Sequence, residues 1–245
     1  MPTPTIVNPV ITYSNSKQPL QYDWLALPGI PAGSGAWEKL PVRTMDFEGV
    51  QDEHVRQNWH LDSFVDEVLP HYNHNTILVG HDLGGVIAAM SAVKQSPKAV
   101  VLTGTSLGNW WFWTRLSAAP ILNRFFYHTF KGSLFVRIGG GKSTGQRFTN
   151  QPHFHDPTKM MTLAKHMNPP NDLVSKLKKV CHVYIIWGRQ EVFYPGFLAK
   201  SLSKHLEAPL YWNDGGHYCM WTHSEMFLDS MHKIEGLLDN HSKGL

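Results

Sequence analysis

The chain has 245 residues, of which 42% are hydrophobic and 17% are charged, so it can bury one sizeable core and requires no second one. A net charge of only +3, with the basic residues scattered along the chain, argues against a nucleic-acid-binding protein. The apolar runs stay well short of the roughly 20 residues that a membrane-spanning helix needs, so we expect a cytoplasmic protein without a membrane span.

The predicted secondary structure alternates between strands and helices. In chain order the elements are strands at 22–27 and 42–45, a helix at 61–69, a strand at 76–79, a helix at 86–93, strands at 98–102 and 183–187, a helix at 197–206, a strand at 209–212, and a last helix that begins at a Thr222–Glu225 capping box. The strands are short and continuously apolar, which is typical of parallel strands covered on both faces. The sequence therefore predicts an α/β protein with a mostly parallel, doubly wound sheet.

The interval 108–170 interrupts this alternation. It is rich in aromatic residues, and we interpret it as a small, mainly helical cap insertion between two parts of one core, 1–107 and 171–245. An insertion of this kind would lie over the carboxyl edge of the sheet, where ligands bind in open α/β folds. Trp110, Trp113 and Tyr127 are therefore candidates for contacts with a substrate, although each could equally pack inside a helical subdomain.

The two cysteines, Cys181 and Cys219, form no C-x-x-C pair. A structural disulfide is typical of small secreted domains, and this chain has neither their size nor their cysteine content. We expect both residues to be free thiols that pack as small hydrophobic side chains.

The motif Gly80-His81-Asp82-Leu83-Gly84-Gly85 directly follows the apolar strand 76–79 and precedes a helix. A strand that enters Gly-x-nucleophile-x-Gly and leaves as a helix forms the sharp turn that exposes a nucleophile above its sheet. The usual nucleophile in this turn is serine, whereas here the position is Asp82. A carboxylate attacks other electrophiles than an alkoxide does and leaves a different covalent intermediate.

Two further residues complete a catalytic set in chain order. Glu191 follows the predicted strand 183–187, and His217 follows the predicted strand 209–212. Each of the three residues alone has an alternative interpretation. The turn at Asp82 could be purely structural, Glu191 could be a solvated loop acid, and His217 is only one of fifteen histidines. Nucleophile, acid and base in this order, each just beyond a strand, nevertheless predict a triad of Asp82, Glu191 and His217.

Two apparent ligand motifs do not support a cofactor. The segment Gly139-Gly140-Gly141-Lys142-Ser143 lacks the first glycine of a phosphate-binding loop, because Val136 stands in its place. His153 and His155 are close in sequence, but no second cluster of metal-ligating residues accompanies them. We therefore expect neither a metal ion nor an organic cofactor.

These motifs resemble those of the α/β-hydrolase family, over essentially the whole chain. Within it, the elbow is most similar to the Gly-His-Asp-Trp-Gly-Gly turn of the branch with an aspartate nucleophile, which includes epoxide hydrolases and haloalkane dehalogenases. That branch also carries a His-Gly-x-Pro turn, whose counterpart here is Pro28-Gly29-Ile30-Pro31. The resemblance implies the α/β-hydrolase fold, with an acid loop at Glu191 and a histidine loop at His217.

The resemblance also implies a two-step reaction without a cofactor. Asp82 would attack a carbon of a small apolar organic substrate to form an alkyl ester, and His217, oriented by Glu191, would activate the water that hydrolyses this ester. The backbone N–H groups of Leu83 and Ile30 would form the oxyanion hole. The sequence leaves a homodimer open.

Two departures from the family pattern bear on the substrate. Leu83 replaces the tryptophan that holds the halide in dehalogenases, which disfavours dehalogenation. Epoxide hydrolases use two cap tyrosines to protonate the ring oxygen, whereas the insertion here has only Tyr127, and Tyr194 beyond Glu191 is a further candidate. Epoxide opening is favoured. Dehalogenation, cleavage of an ester, lactone or carbon-carbon bond with Asp82 as general base, and a non-catalytic ligand-binding homologue stay open.

Overall fold

A computed structural model describes residues 19–29, 33–47, 58–108 and 169–242. The predictions made for Ile30, Trp110, Trp113 and Tyr127, and for most of the cap insertion, lie outside these residues. The described strands, in chain order, are β1 (Asp23–Leu27), β2 (Arg43–Thr44), β3 (Thr76–His81), β4 (Ala99–Thr103), β5 (His182–Gly188) and β6 (Leu210–Asn213).

The six strands form one sheet in the order β2-β1-β3-β4-β5-β6, and every neighbouring pair is parallel. Strand β2 therefore lies on one side of β1 and β3 on the other. From β3 the remaining strands follow in chain order to the opposite edge of the sheet. Parallel strands present their carboxyl ends at one edge of the sheet, so the loops after β3, β5 and β6 emerge together. That edge carries the predicted triad.

Helices cover both faces of the sheet. The described α-helices are α1 (Leu61–Val68), α2 (Leu83–Lys94), α3 (Leu173–Val180), α4 (Gly196–Leu206), α5 (Cys219–Thr222) and α6 (Ser224–Ser242). The first four pack in one hydrophobic cluster, whereas α5 and α6 pack in a second cluster on the opposite face. Strand β3 supplies both clusters, with Leu78 in the first and Ile77 and Val79 in the second. The predicted doubly wound parallel sheet is confirmed.

The predicted elements agree with the structure except for two helices that were not predicted, α3 and α5, and for the start of the last helix. Helix α3 was not predicted, because its polar residues leave only Leu173 and Leu177 fully buried. The capping box at Thr222 is wrong, since Thr222 ends α5 and its hydroxyl donates to the carbonyl oxygen of Tyr218 at 3.1 Å. A hydroxyl that bonds the preceding turn is no longer available to cap the next helix.

Both cysteines are free thiols, as predicted. Cys219 is buried beside Thr103, and Cys181 packs at the margin of the first cluster. Burial raises the pKa of each thiol to about 12, so neither is a reactive thiolate at neutral pH. None of the helices in the described ranges has the length and apolar character needed to cross a bilayer.

Candidate active site

Asp82 is the single residue between β3 and α2, and its backbone is strained. It has φ 51° and ψ −118°, a conformation that costs a non-glycine residue about 1–3 kcal/mol. The turn also requires two glycines, because a Cβ on Gly80 would lie 2.3 Å from the carbonyl oxygen of Gly84, and one on Gly84 would lie 2.2 Å from that of Leu27. The motif therefore forms the sharp strand-to-helix turn that its spacing predicts.

Backbone hydrogen bonds hold this turn against the end of β4. The Asp82 N–H donates to the carbonyl oxygen of Thr103 at 3.2 Å, and the Asp82 carbonyl accepts from Gly85 N at 3.1 Å. The same carbonyl accepts from the Thr105 hydroxyl at 2.6 Å. Sequence reasoning did not identify Thr105. It lies two residues beyond β4, after Gly104, and a single threonine in a loop forms no recognisable motif.

We expect Thr105→Val to lower kcat roughly tenfold, because loss of the hydroxyl lets the nucleophile turn shift by a fraction of an ångström. Stability should fall by only about 1 kcal/mol, the net value of one hydrogen bond, since valine keeps the methyl contact with Gly85. Steady-state kinetics and urea unfolding measure the two effects. Thr105→Ser, which keeps the hydroxyl, is the matched control, and equal losses in both variants would contradict the assignment.

Glu191 and His217 form a buried acid–base pair at the same edge of the sheet. Glu191 lies three residues beyond β5 and His217 four residues beyond β6, and Glu191 Oε2 is 2.8 Å from His217 Nδ1. The other carboxylate oxygen accepts from the backbone N–H groups of Phe193 at 2.8 Å and Tyr194 at 3.2 Å. Both oxygens of Glu191 are therefore fixed, and they orient the imidazole through Nδ1.

The loops that carry this pair are tied to each other. Arg189 N donates to the carbonyl oxygen of Asn213 at 2.7 Å, and Gln190 N donates to that of Gly215 at 3.0 Å. Gly188 permits the approach, because a Cβ there would lie 2.5 Å from the Gly215 carbonyl oxygen. The acid and the histidine are thus held by a rigid unit rather than by two independent loops.

Aromatic rings surround the His217 imidazole. Ring centroids lie 4.3 Å away for His81, 4.9 Å for Phe193, 5.0 Å for Tyr218 and 5.9 Å for Tyr194. Burial among these rings on its own lowers the pKa of His217, but the Glu191 carboxylate and, to a smaller extent, Asp82 raise it above the ordinary value of 6.5. The imidazole is therefore a stronger base than a free histidine.

Tyr194 connects the acid loop to the elbow. Its hydroxyl donates to Asp82 Oδ1 at 2.7 Å, and its carbonyl oxygen accepts from Trp187 Nε1 at 3.0 Å. Burial, the nearby Asp82 carboxylate and the hydrogen bond to it raise the pKa of Tyr194 well above 10.0. The tyrosine is therefore a neutral hydrogen-bond donor to the Asp82 side chain.

The sequence profile of the alpha/beta hydrolase family matches residues 24–229, which is most of the chain. The chain belongs to the alpha/beta hydrolase family. It is accordingly a hydrolytic enzyme, and its six-stranded parallel sheet flanked by helices is the α/β-hydrolase fold. A search of curated proteins finds no significant match to the sequence.

Several solved structures of hydrolases are similar to this one. A thermophilic esterase from Thermogutta terrifontis with malate bound is 14% identical with a TM-score of 0.71, and the alignment covers 90% of this chain and 91% of that one. A haloalkane dehalogenase from Bradyrhizobium elkani is 13% identical with a TM-score of 0.63, covering 95% and 94%. An enol-lactonase from Burkholderia xenovorans is 12% identical with a TM-score of 0.67, covering 86% and 90%. Identities this low establish the fold alone.

The described part of this hydrolase brings five of its predicted site residues to one edge of the sheet: Asp82, Leu83, Glu191, Tyr194 and His217. Leu83 is the first residue of α2, where backbone N–H groups have no partner within the helix. Among the described residues, no group of three or more His, Cys, Asp or Glu is placed to hold a metal ion, and His153 and His155 lie outside them.

Proposed function

We propose that this hydrolase opens an epoxide ring by attack of the Asp82 carboxylate, with Tyr194 as the acid for the ring oxygen. The observation that carries the proposal is the 2.7 Å hydrogen bond from the Tyr194 hydroxyl to Asp82 Oδ1. It places a neutral proton donor directly beside the oxygen that would attack. An epoxide needs both groups at once, because ring opening forms a carbon–oxygen bond on one side and an alkoxide on the other.

In the first step, Asp82 Oδ1 bonds to a ring carbon while the carbon–oxygen bond of the ring breaks. The ring oxygen takes the proton of the Tyr194 hydroxyl, which leaves an alkyl ester on Asp82 and a tyrosinate. Esterification removes the carboxylate charge, and with it two of the causes that keep the pKa of Tyr194 high. The tyrosine thus becomes more acidic as the reaction proceeds, when a proton is required.

In the second step, His217 takes a proton from a water molecule, whose oxygen attacks the carbonyl carbon of the Asp82 ester. Glu191 holds the imidazole in the required orientation and stabilises its cationic form. We assign the backbone N–H groups of Leu83 and Ile30 to the oxyanion that forms on the former carboxylate. Collapse of the tetrahedral intermediate expels the product alkoxide, which takes the proton from the His217 imidazolium.

A last proton transfer, from Asp82 to Tyr194, returns both residues to their starting states. Hydrolysis leaves Asp82 as a carboxylic acid with an oxygen from water, and Tyr194 as a tyrosinate. Because the ordinary pKa of aspartic acid is far below that of tyrosine, the proton passes from Asp82 to Tyr194. The transfer restores the hydrogen bond of the resting enzyme.

The site favours a small apolar substrate. Phe193 and Tyr194 place aromatic rings beside His217, and Leu83 places a buried aliphatic residue next to the nucleophile. Leu83 offers no N–H donor on its side chain, so it supplies no substitute for the halide-binding tryptophan of dehalogenases. We further propose that residues 108–170 form a cap, with Trp110, Trp113 and Tyr127 against the substrate.

Single turnover in heavy-oxygen water tests the proposal, with enzyme in excess over a panel of epoxides, haloalkanes and esters. We expect turnover of an epoxide, an Asp82 peptide heavier by the mass of the substrate during the reaction, and heavy oxygen in the Asp82 carboxylate afterwards. Tyr194→Phe should slow formation of the ester about 10²-fold for epoxides. Turnover of esters alone, without label in Asp82, would contradict the proposal and support Asp82 as a general base.

A further inference from the structure

The proposed reaction makes no use of His81, a buried histidine next to the nucleophile. Its side chain is fully buried, and neither ring nitrogen has a hydrogen-bond partner in the described part of the chain. A buried polar group without a partner costs about 1–3 kcal/mol, so its presence calls for a physical reason.

The surroundings of His81 fix both its position and its charge. Its ring lies between Gly29 and Gly104, since a Cβ on Gly29 would lie 2.8 Å from His81 Nδ1 and one on Gly104 would lie 3.2 Å from His81 Cδ2. Burial lowers the pKa of His81 well below 6.5, and the charge of His217 lowers it further, whereas a polar contact with the His217 backbone, outside the geometry of a hydrogen bond, raises it to a smaller extent. His81 is therefore a neutral imidazole with one N–H donor.

The Nδ1 atom of this ring and the Oδ2 atom of Asp82 lie around one point beside Gly29. The point where a Cβ of Gly29 would lie is 2.8 Å from His81 Nδ1 and 3.1 Å from Asp82 Oδ2, so both atoms border the same space. Asp82 Oδ1 is bonded to Tyr194 instead. The two oxygens of the nucleophile thus have different surroundings, and Oδ2 is the one that lies near Gly29.

We propose that His81 is a further catalytic residue, which donates its Nδ1–H to the oxyanion that forms at Asp82 Oδ2 during hydrolysis of the alkyl ester. The inference rests on the proposed Asp82 ester. Oδ1 becomes the ester oxygen, so Oδ2 carries the negative charge of the tetrahedral intermediate. A neutral imidazole held in place can stabilise such an oxygen without losing its proton, and one preorganised donor contributes about 10²–10³-fold to the rate.

The donor should act on the second step only. In the resting enzyme His81 Nδ1 has no hydrogen-bond partner among the described residues, so it gains an acceptor only when negative charge forms at Oδ2 in the second step. Loss of the donor should therefore leave ester formation unchanged or slightly faster. A residue that merely supported the packing of the site would affect both steps together.

Three substitutions separate these possibilities. His81→Phe keeps the ring against His217 and removes both nitrogens, His81→Asn places an amide nitrogen near the position of Nδ1, and His81→Gln places one near Nε2. Rapid-quench kinetics with an epoxide that the wild type turns over, followed by mass spectrometry of the Asp82 peptide, measures formation and decay of the ester separately. His217→Phe is the reference for an ester that accumulates, and thermal unfolding controls for stability.

We expect His81→Phe to slow ester decay about 10²-fold while ester formation stays within twofold of the wild type. Ester decay in His81→Asn should be at least tenfold faster than in His81→Phe, whereas in His81→Gln it should stay as slow as in His81→Phe. Equal ester decay in His81→Phe and wild type, or equal slowing of both steps in all three variants, would overturn the assignment while leaving the Asp82 ester intact. If the wild type forms no Asp82 ester, both the proposed function and this inference are wrong.

Discussion

Asp82→Asn is expected to abolish turnover, with a fall in kcat of roughly 10⁴-fold or more, comparable to the loss of a nucleophile or its base in other hydrolases. An amide has no negative oxygen to attack a carbon, although it keeps the shape of the side chain. The Tyr194 hydroxyl can still donate to the amide oxygen, so the site should stay assembled. Steady-state kinetics with the best substrate of the panel measure the loss.

The control for this variant is stability. Asp82 is the strained residue of the elbow, with φ 51°, and asparagine tolerates positive φ better than most residues. Thermal unfolding should therefore differ little between Asp82→Asn and wild type. Undiminished turnover in a folded Asp82→Asn enzyme would exclude the carboxylate as nucleophile.

His217→Phe is expected to separate the two chemical steps. Phenylalanine preserves the ring contacts with His81, Phe193 and Tyr218 but cannot take a proton from water. The first step needs only Asp82 and Tyr194, so one equivalent of substrate should be consumed and retained as an ester on Asp82, while hydrolysis falls roughly 10⁴-fold. Rapid consumption of one equivalent of epoxide per enzyme, without release of the diol, followed by almost no further consumption is the kinetic signature, and unchanged steady turnover would contradict the role of His217.

The pH dependence of ester decay follows from the protonation of His217. Only neutral His217 accepts a proton, so the decay rate should fall as the pH is lowered through the pKa of His217. Glu191 raises that pKa through its charge and its hydrogen bond. Glu191→Gln should therefore move the acidic limb to lower pH as well as slow the decay, and an unmoved limb would show that Glu191 does not act on His217.

Much of the site was predictable because its chemistry is carried by local turns. Two glycines at fixed spacing around Asp82 predict the elbow, since backbone atoms come within 2.6 Å of where a Cβ would lie. The positions of Glu191 and His217 followed from counting residues beyond predicted strands. The carboxyl ends of parallel strands lie at one edge, so residues just beyond three such ends lie along the same edge of the sheet.

Other features depend on contacts between distant segments. Tyr194 was only a candidate in the sequence, and 112 positions separate it from the Asp82 carboxylate to which its hydroxyl donates. Thr105, which fixes the elbow, has no distinctive spacing in the sequence. His81 belongs to the elbow motif, but the sequence gives no sign that its nitrogens lack partners within the described residues. At Thr222 the local sequence predicts a helix cap, but in the structure its hydroxyl donates to the carbonyl oxygen of Tyr218 in the preceding turn.

By itself the sequence determined the alternation of strands and helices, the nucleophile turn and the order of the triad. These depend on side-chain periodicity and on backbone sterics over a few residues, which a local stretch of sequence contains. Only the tertiary structure decided which oxygen of Asp82 meets Tyr194, how His217 is enclosed by rings, and that His81 Nδ1 and Asp82 Oδ2 lie around one point beside Gly29. Those relations are set by the packing of loops from four different strands, and no local pattern encodes a distance between them.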